Sequence, residues 1–200
     1  MGQPSDVHGP QPIFYFDLGS PYAWLAAERI HHVLPVVAVW QPILLGGIWQ
    51  RSGERSWAET DQREEGMREI ERRAQRYGLL PVKWPERWPT STLGAMRAAT
   101  FAQQAGRTVA FSLAAFRQAF AGGKDLSEID NVLIAAAACE LHPNAVVKAI
   151  ERQSTKDRLR AATDEAYDRG VRGVPSLVVG DEVFWGDDRL EEAAAALAGS

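Results

Sequence analysis

Two hundred residues with 46% hydrophobic and 24% charged side chains suffice for one ample core, or one domain with a large insertion, in a soluble globular protein. A formal net charge of −4, from 26 acidic and 22 basic residues, argues against nucleic-acid binding. The single cysteine, Cys139, excludes an intrachain disulfide and a Cys-x-x-Cys redox pair, and it permits a reducing compartment.

Residues 1–11 read as a loose polar tail without the basic start and apolar core of a signal peptide. The apolar run Ile13-Phe14-Tyr15-Phe16 predicts a strand over 13–17, broken at Gly19. Ser20 is a natural N-cap and Pro21 suits the first helical position, so a helix is expected over 21–33, ended by Pro35. The β-branched stretch Val36 to Trp40 predicts a strand buried on both faces, which completes a βαβ unit. Residues 30–50 carry no acidic or basic side chain except two histidines. Pro35, Pro42 and Gly46-Gly47 interrupt them, which argues against a membrane span.

The middle of the chain is helical in pattern. A loop or short helix over 44–56 leads into an alternating Glu/Arg segment, 60–77, which reads as a solvated helix. Residues 80–89 hold three prolines and two tryptophans and predict an ordered non-helical loop. Helices are expected over 92–104, 108–121, 127–140, 143–153 and 154–169, with Ser127 as a cap. After Gly173-Val174-Pro175 come a strand at 176–179, a Gly180-Asp181 hairpin turn, a strand at 182–185 and an Ala-rich helix from 187 to 197 capped by Asp187. The order βαβ, helices, ββα predicts one four-stranded mixed sheet built from both ends of the chain. Residues 12–44 and 166–200 form the sheet domain and 45–165 an all-helical insertion.

A hydroxyl at a helix N-terminus sits where the helix dipole favours negative charge, which makes Ser20 the first candidate site residue. Adjacent His31 and His32 face different sides of a helix, and with one cysteine no metal site is suggested. Cys139, in an alanine-rich stretch, reads as a small core residue. Tryptophans from the 49–88 region are candidates for the wall of an aromatic pocket.

Four segments in order carry a resemblance: F-Y-F-D-L-G-S-P-Y-A-W-L at 14–25, L-L-G-G-I at 44–48 with Ser52-Gly53, G-V-P at 173–175, and F-W-G-D-D-R-L at 184–190. The chain resembles the 2-hydroxychromene-2-carboxylate isomerases and kappa-class glutathione transferases, DsbA-like proteins of thioredoxin fold with a helical insertion. Ser20 takes the position of the first motif cysteine, and Ala23 the second. The resemblance implies that Ser20 orients and activates the sulfur of glutathione. It further implies that Val174 and a cis Pro175 pair with the glutathione backbone, and that Asp188 and Arg189 hold its γ-glutamyl end. Glu54 stands where the family has Asn, and a carboxylate cannot donate as an amide can. The thiol is therefore glutathione or another low-molecular-weight thiol.

The activity implied is isomerisation of an unsaturated aromatic carboxylic acid by reversible thiolate addition, as part of aromatic-compound catabolism. The alternatives are glutathione conjugation and a non-catalytic thiol- or peptide-binding module. The implied setting is cytoplasmic, with a small-molecule aromatic substrate, no nucleic acid or membrane partner, and a homodimer allowed.

Overall fold

The computed structural model describes residues 11–199. Strand β1 (Ile13–Phe16) runs into helix α1 (Pro21–Val33), and β2 (Val39–Pro42) returns beside β1. Seven helices follow: α2 (Leu45–Ser52), α3 (Arg63–Arg76), α4 (Leu93–Gln104), α5 (Thr108–Phe120), α6 (Ile129–Ala137), α7 (Pro143–Glu151) and α8 (Gln153–Asp168). The chain ends with β3 (Ser176–Val179), β4 (Glu182–Trp185) and α9 (Leu190–Ala198). The sheet order is β2-β1-β3-β4, with β2 parallel to β1 and the two remaining pairs antiparallel. Both ends of the chain therefore build one mixed sheet, and the elements between β2 and β3 are all helical, as expected. No described helix is long and apolar enough to cross a membrane. The expected tail lies outside the described residues except for Gln11, whose amide donates to the Val37 carbonyl.

Side-chain alternation along β1 sets the layers. Phe14 and Phe16 face a core shared with Trp24, Trp40, Met96 and Phe116, while Tyr15 faces a second cluster with Ile43, Ile48, Ala166, Val171 and Val178. The first cluster joins the sheet to α1, α4 and α5, and the second joins it to α2 and α8. Phe16 meets Phe116 at 5.9 Å between ring centroids, a direct bond between the sheet and the inserted helices.

Three local expectations are corrected. The Val36–Trp40 run is not buried on both faces. Its strand starts at Val39 on the sheet edge, with Val36, Val37 and Val39 exposed at 39, 66 and 39%. Ala38 and Trp40 point inward, so the run alternates as a half-buried edge strand does. Ser127 does not cap α6. The Asp125 carboxylate accepts from Ser127 N at 2.8 Å, and this turn delays the helix to Ile129. Asp187 does not cap the last helix either. It opens a 3₁₀ turn, and its carboxylate is drawn inward by Arg73 and Tyr77.

Phe116 is fully buried, so Phe116→Ala is expected to cost about 3–5 kcal/mol. Urea unfolding would measure this, and a cost under 1 kcal/mol would mean that the helical layer does not depend on the contact.

Candidate active site

The turn between β1 and α1 is fixed by its own backbone chemistry. Ser20 is extended (φ −93°, ψ 114°), and its Oγ accepts from Ala23 N at 3.2 Å, satisfying one of the free donors of the helix N-terminus. The same hydroxyl donates to the Val174 carbonyl at 3.4 Å across 154 residues of sequence. The Val174–Pro175 peptide is cis, as the resemblance implies, and Pro175 O accepts from Gly186 N at 3.0 Å. Ser20, Val174, Pro175 and Asp188 thus meet around one cavity of ≈ 440 Å³. Among the described residues no acceptor reaches the Val174 N–H.

The cavity floor is a buried carboxylate. Asp17 Oδ1 accepts from Gly19 N and Thr92 Oγ1, both at 2.9 Å, and Oδ2 accepts from Leu45 N at 2.9 Å. Burial pushes the Asp17 carboxyl up, while the three donors pull it back part of the way. Asp187 is almost wholly buried. Its Oδ1 accepts from Arg73 Nη1 at 2.7 Å and its Oδ2 from the Tyr77 hydroxyl at 3.0 Å. Burial again raises the carboxyl, against the pull of Arg73 and Tyr77. Arg73 also donates to Glu69 at 2.7 Å and lies 3.4 Å from Asp188.

Aromatic side chains form the walls: Tyr22, Trp49, Trp57, Trp88 and Trp185 line the cavity. Trp57 meets Tyr22 at 6.1 Å and Trp88 at 5.4 Å between centroids. Two glycines make this wall. A Cβ at Gly66 would lie 2.2 Å from the Trp57 ring, and one at Gly173 would lie 2.4 Å from the Trp185 ring, so both indoles rest on bare backbone.

Other sequence candidates lie elsewhere. Arg189 does not line the cavity. Half-buried at the end of the 3₁₀ turn, it pairs with Glu192 at 2.6 Å, with its guanidinium near the Phe184 ring. Glu54 is exposed and is not part of the lining. Cys139 is buried at the end of α6, where its thiol reaches the Ala135 and Ala136 carbonyls, and burial pushes that thiol up. Of the tryptophans in the 49–88 region, Trp49, Trp57 and Trp88 line the cavity, while Trp84 backs Trp88 at 4.7 Å.

Sequence reading missed Asp17, Arg73, Thr92 and Trp185 as site residues. Asp17 carried a signal, because a carboxylate ending an apolar strand next to a Gly-Ser-Pro turn needs donors nearby. Arg73 carried none, since it sits among alternating charges that read as a solvated face.

An acid whose carboxyl is raised on folding keeps a proton that the unfolded chain releases at about pH 4. The Asp17 contribution to stability therefore falls as pH climbs from that value through the folded one. Asp17→Asn is expected to flatten this decline, leaving the part due to Asp187, and to lower stability at acid pH because an amide offers one acceptor oxygen where the carboxyl offers two. Urea midpoints between pH 4 and 8 check both; an unchanged slope would mean that Asp17 stays ionised throughout.

The DSBA-like thioredoxin domain profile matches residues 13–198. A curated relative, the 2-hydroxychromene-2-carboxylate isomerase of Sphingobium xenophagum, is 27% identical over 184 residues, covering 89% of this chain and 93% of that protein. A solved 2-hydroxychromene-2-carboxylate isomerase structure superposes with a TM-score of 0.84 at 21% identity, covering 94% of each chain. A probable DsbA oxidoreductase from Streptomyces coelicolor gives 0.73 at 19% identity, over 95% of this chain and 90% of that one. With a cis-proline turn facing the start of helix α1 and the profile spanning nearly all of its length, the chain belongs to the DSBA-like thioredoxin domain family.

Proposed function

We propose that the protein is a thiol-dependent isomerase that uses glutathione, or a similar low-molecular-weight thiol, on an unsaturated aromatic carboxylic acid of the 2-hydroxychromene-2-carboxylate type. The observation that carries this reading is Ser20. Its hydroxyl occupies the helix N-terminus where a dithiol enzyme has its cysteine, it faces a cis-proline turn, and it borders an aromatic cavity. The Sphingobium xenophagum relative, named for this isomerisation, supports the choice of reaction.

The residues present fit such a thiol. The Ser20 proton is held by a long 3.4 Å contact, so it can turn toward a sulfur while the helix dipole favours the thiolate. Val174 offers its N–H and its carbonyl to a peptide-like backbone, as a short added strand. Asp188, half-exposed at the rim, suits an ammonium. Arg189 is one residue further on, and its exposed pair with Glu192 is of the kind worth about 0–1 kcal/mol. Exchanging that partner for a ligand carboxylate costs little. The indole walls suit a flat aromatic acid.

When bound, the thiol would supply a nucleophilic thiolate that adds reversibly to the unsaturated acid and is regenerated. Ser20 would hold and stabilise the sulfur at the start of α1, and the indoles of Trp49, Trp57, Trp88 and Trp185 would keep water away from it. Free thiol should stay constant during steady turnover. A loss of one thiol per product would identify a conjugating transferase, and tight thiol binding without turnover would identify a binding module.

Ser20→Ala is expected to cost about 1 kcal/mol of stability as a lost cap. A lost hydrogen bond to a charged sulfur is worth roughly 1.5–3 kcal/mol, which is a rise of about one to two units in the pKa of the bound thiol. Thiolate absorbance titrated with glutathione present, for wild type and variant, measures the shift. Coincident curves with unchanged turnover would reduce Ser20 to a helix cap.

A further inference from the structure

Behind α2, on the face away from Ser20, lies a second cleft of ≈ 390 Å³ between α2, α4 and α8. The eight-residue helix α2 divides the two spaces. Leu45, Gly46 and Trp49 face the thiol cavity, while Gly47, Gln50 and Arg51 face this cleft. Four cations line it, Arg51, Arg97, Lys156 and Arg160, against one carboxylate, Asp164. That concentration of positive charge runs against the net charge of −4 for the whole chain.

Two of the four cations are already engaged. Arg51 pairs with Asp164 at 3.2 Å and with Asp168 at 3.1 Å, and Lys156 pairs with Glu151 at 3.0 Å. The other two, Arg97 and Arg160, have no hydrogen-bond or ion-pair partner among the described residues. Arg97 is also half-buried, where an unpaired guanidinium is costly. The positive field is felt nearby: Lys156 first, and Arg97 more weakly, hold the Glu151 carboxyl below its usual range. Leu44, Leu93 and Leu159 supply an apolar lining beside the charges.

We propose that this cleft is a binding site for a diphosphate group, separate from the thiol site. Unpaired guanidinium groups meet phosphate oxygens bidentately. The other two cations have exposed carboxylate partners, which they can exchange at small cost. A single carboxylate would neutralise only one of the two free guanidinium groups, whereas a diphosphate carries charge enough for both. The apolar side of the cleft gives room for a nucleoside attached to the diphosphate.

Calorimetric titration of inorganic pyrophosphate into the full-length protein, at constant ionic strength set with sodium chloride, tests this. One saturable site per chain is expected. Arg97→Gln combined with Arg160→Gln should weaken it about tenfold or more, with circular dichroism and melting temperature unchanged. Ser20→Ala should leave it intact, which separates this site from the thiol reading. ADP in place of pyrophosphate distinguishes the sources: equal affinity identifies a free diphosphate, and tighter binding identifies a nucleotide that uses Leu44, Leu93 and Leu159. Heat that does not saturate, several weak sites per chain, or binding untouched by the double variant would mean an adventitious ion only and would overturn the proposal.

Discussion

The Asp17 carboxylate holds together three segments that are far apart in the chain. One oxygen takes the Gly19 N–H of the β1–α1 turn and the hydroxyl of Thr92 just before α4, and the other takes the first N–H of α2. The three donors are partly buried, and leaving a buried polar group unpaired costs about 1–3 kcal/mol. The raised carboxyl of Asp17 shows that the clasp is not cost-free, since burial of the charge opposes the gain from its donors. Ser20 lies one residue past Gly19, so the position of its hydroxyl against Val174 depends on this clasp.

A second tie closes the opposite side of the cavity. Arg73 from the inserted α3 reaches Asp187 in the turn after β4, with Tyr77 of the same helix region on the other carboxylate oxygen. Arg29 from α1 donates to the Asp187 carbonyl at 2.8 Å and lies over the Tyr77 ring. A buried pair of this kind adds little net stability, because desolvation offsets the attraction, yet losing one partner leaves a costly charge behind. Its effect is therefore geometric. It sets the distance between the helical insertion and the β4–α9 turn, and so the width of the cavity and the place of Asp188.

Between the two ties, the walls are aromatic and their positions rest on absent side chains. Trp57 lies against α3 because residue 66 is glycine, and Trp185 crosses the cis-proline turn because residue 173 is glycine. Rings held this way keep a flat apolar face toward the cavity without filling it. The polar groups that can fix a ligand are few: the Ser20 hydroxyl, the Val174 backbone, Asp188 and the guanidinium of Arg73. Few polar groups in a mostly apolar pocket favour a ligand with a planar body and a small number of charged ends.

Local chemistry alone determined the elements at the two ends of the chain. Ser20 and Pro21 specify the start of α1, Pro35 its end, Gly180 the hairpin, and the βαβ and ββα order a shared mixed sheet. The hydroxyl at the helix start and a turn at Gly173-Val174-Pro175 were legible for the same reason, since both are written in neighbouring residues, whereas the cis geometry of that turn was implied only by the family resemblance. Tertiary structure decided what depends on partners distant in sequence. A run such as Val36–Trp40 has the same composition at a sheet edge or at its centre, and only strand order placed it at the edge. The charges of α3 follow one alternating pattern, and packing alone turned Arg73 inward to Asp187 while Arg68 and Arg72 stayed in solvent. Asp187 gave up its expected role as a cap because a guanidinium and a phenol more than a hundred residues earlier are stronger partners than a helix N–H. Local sequence encodes backbone preference, whereas the choice among competing long-range partners is made by the burial that the completed fold imposes.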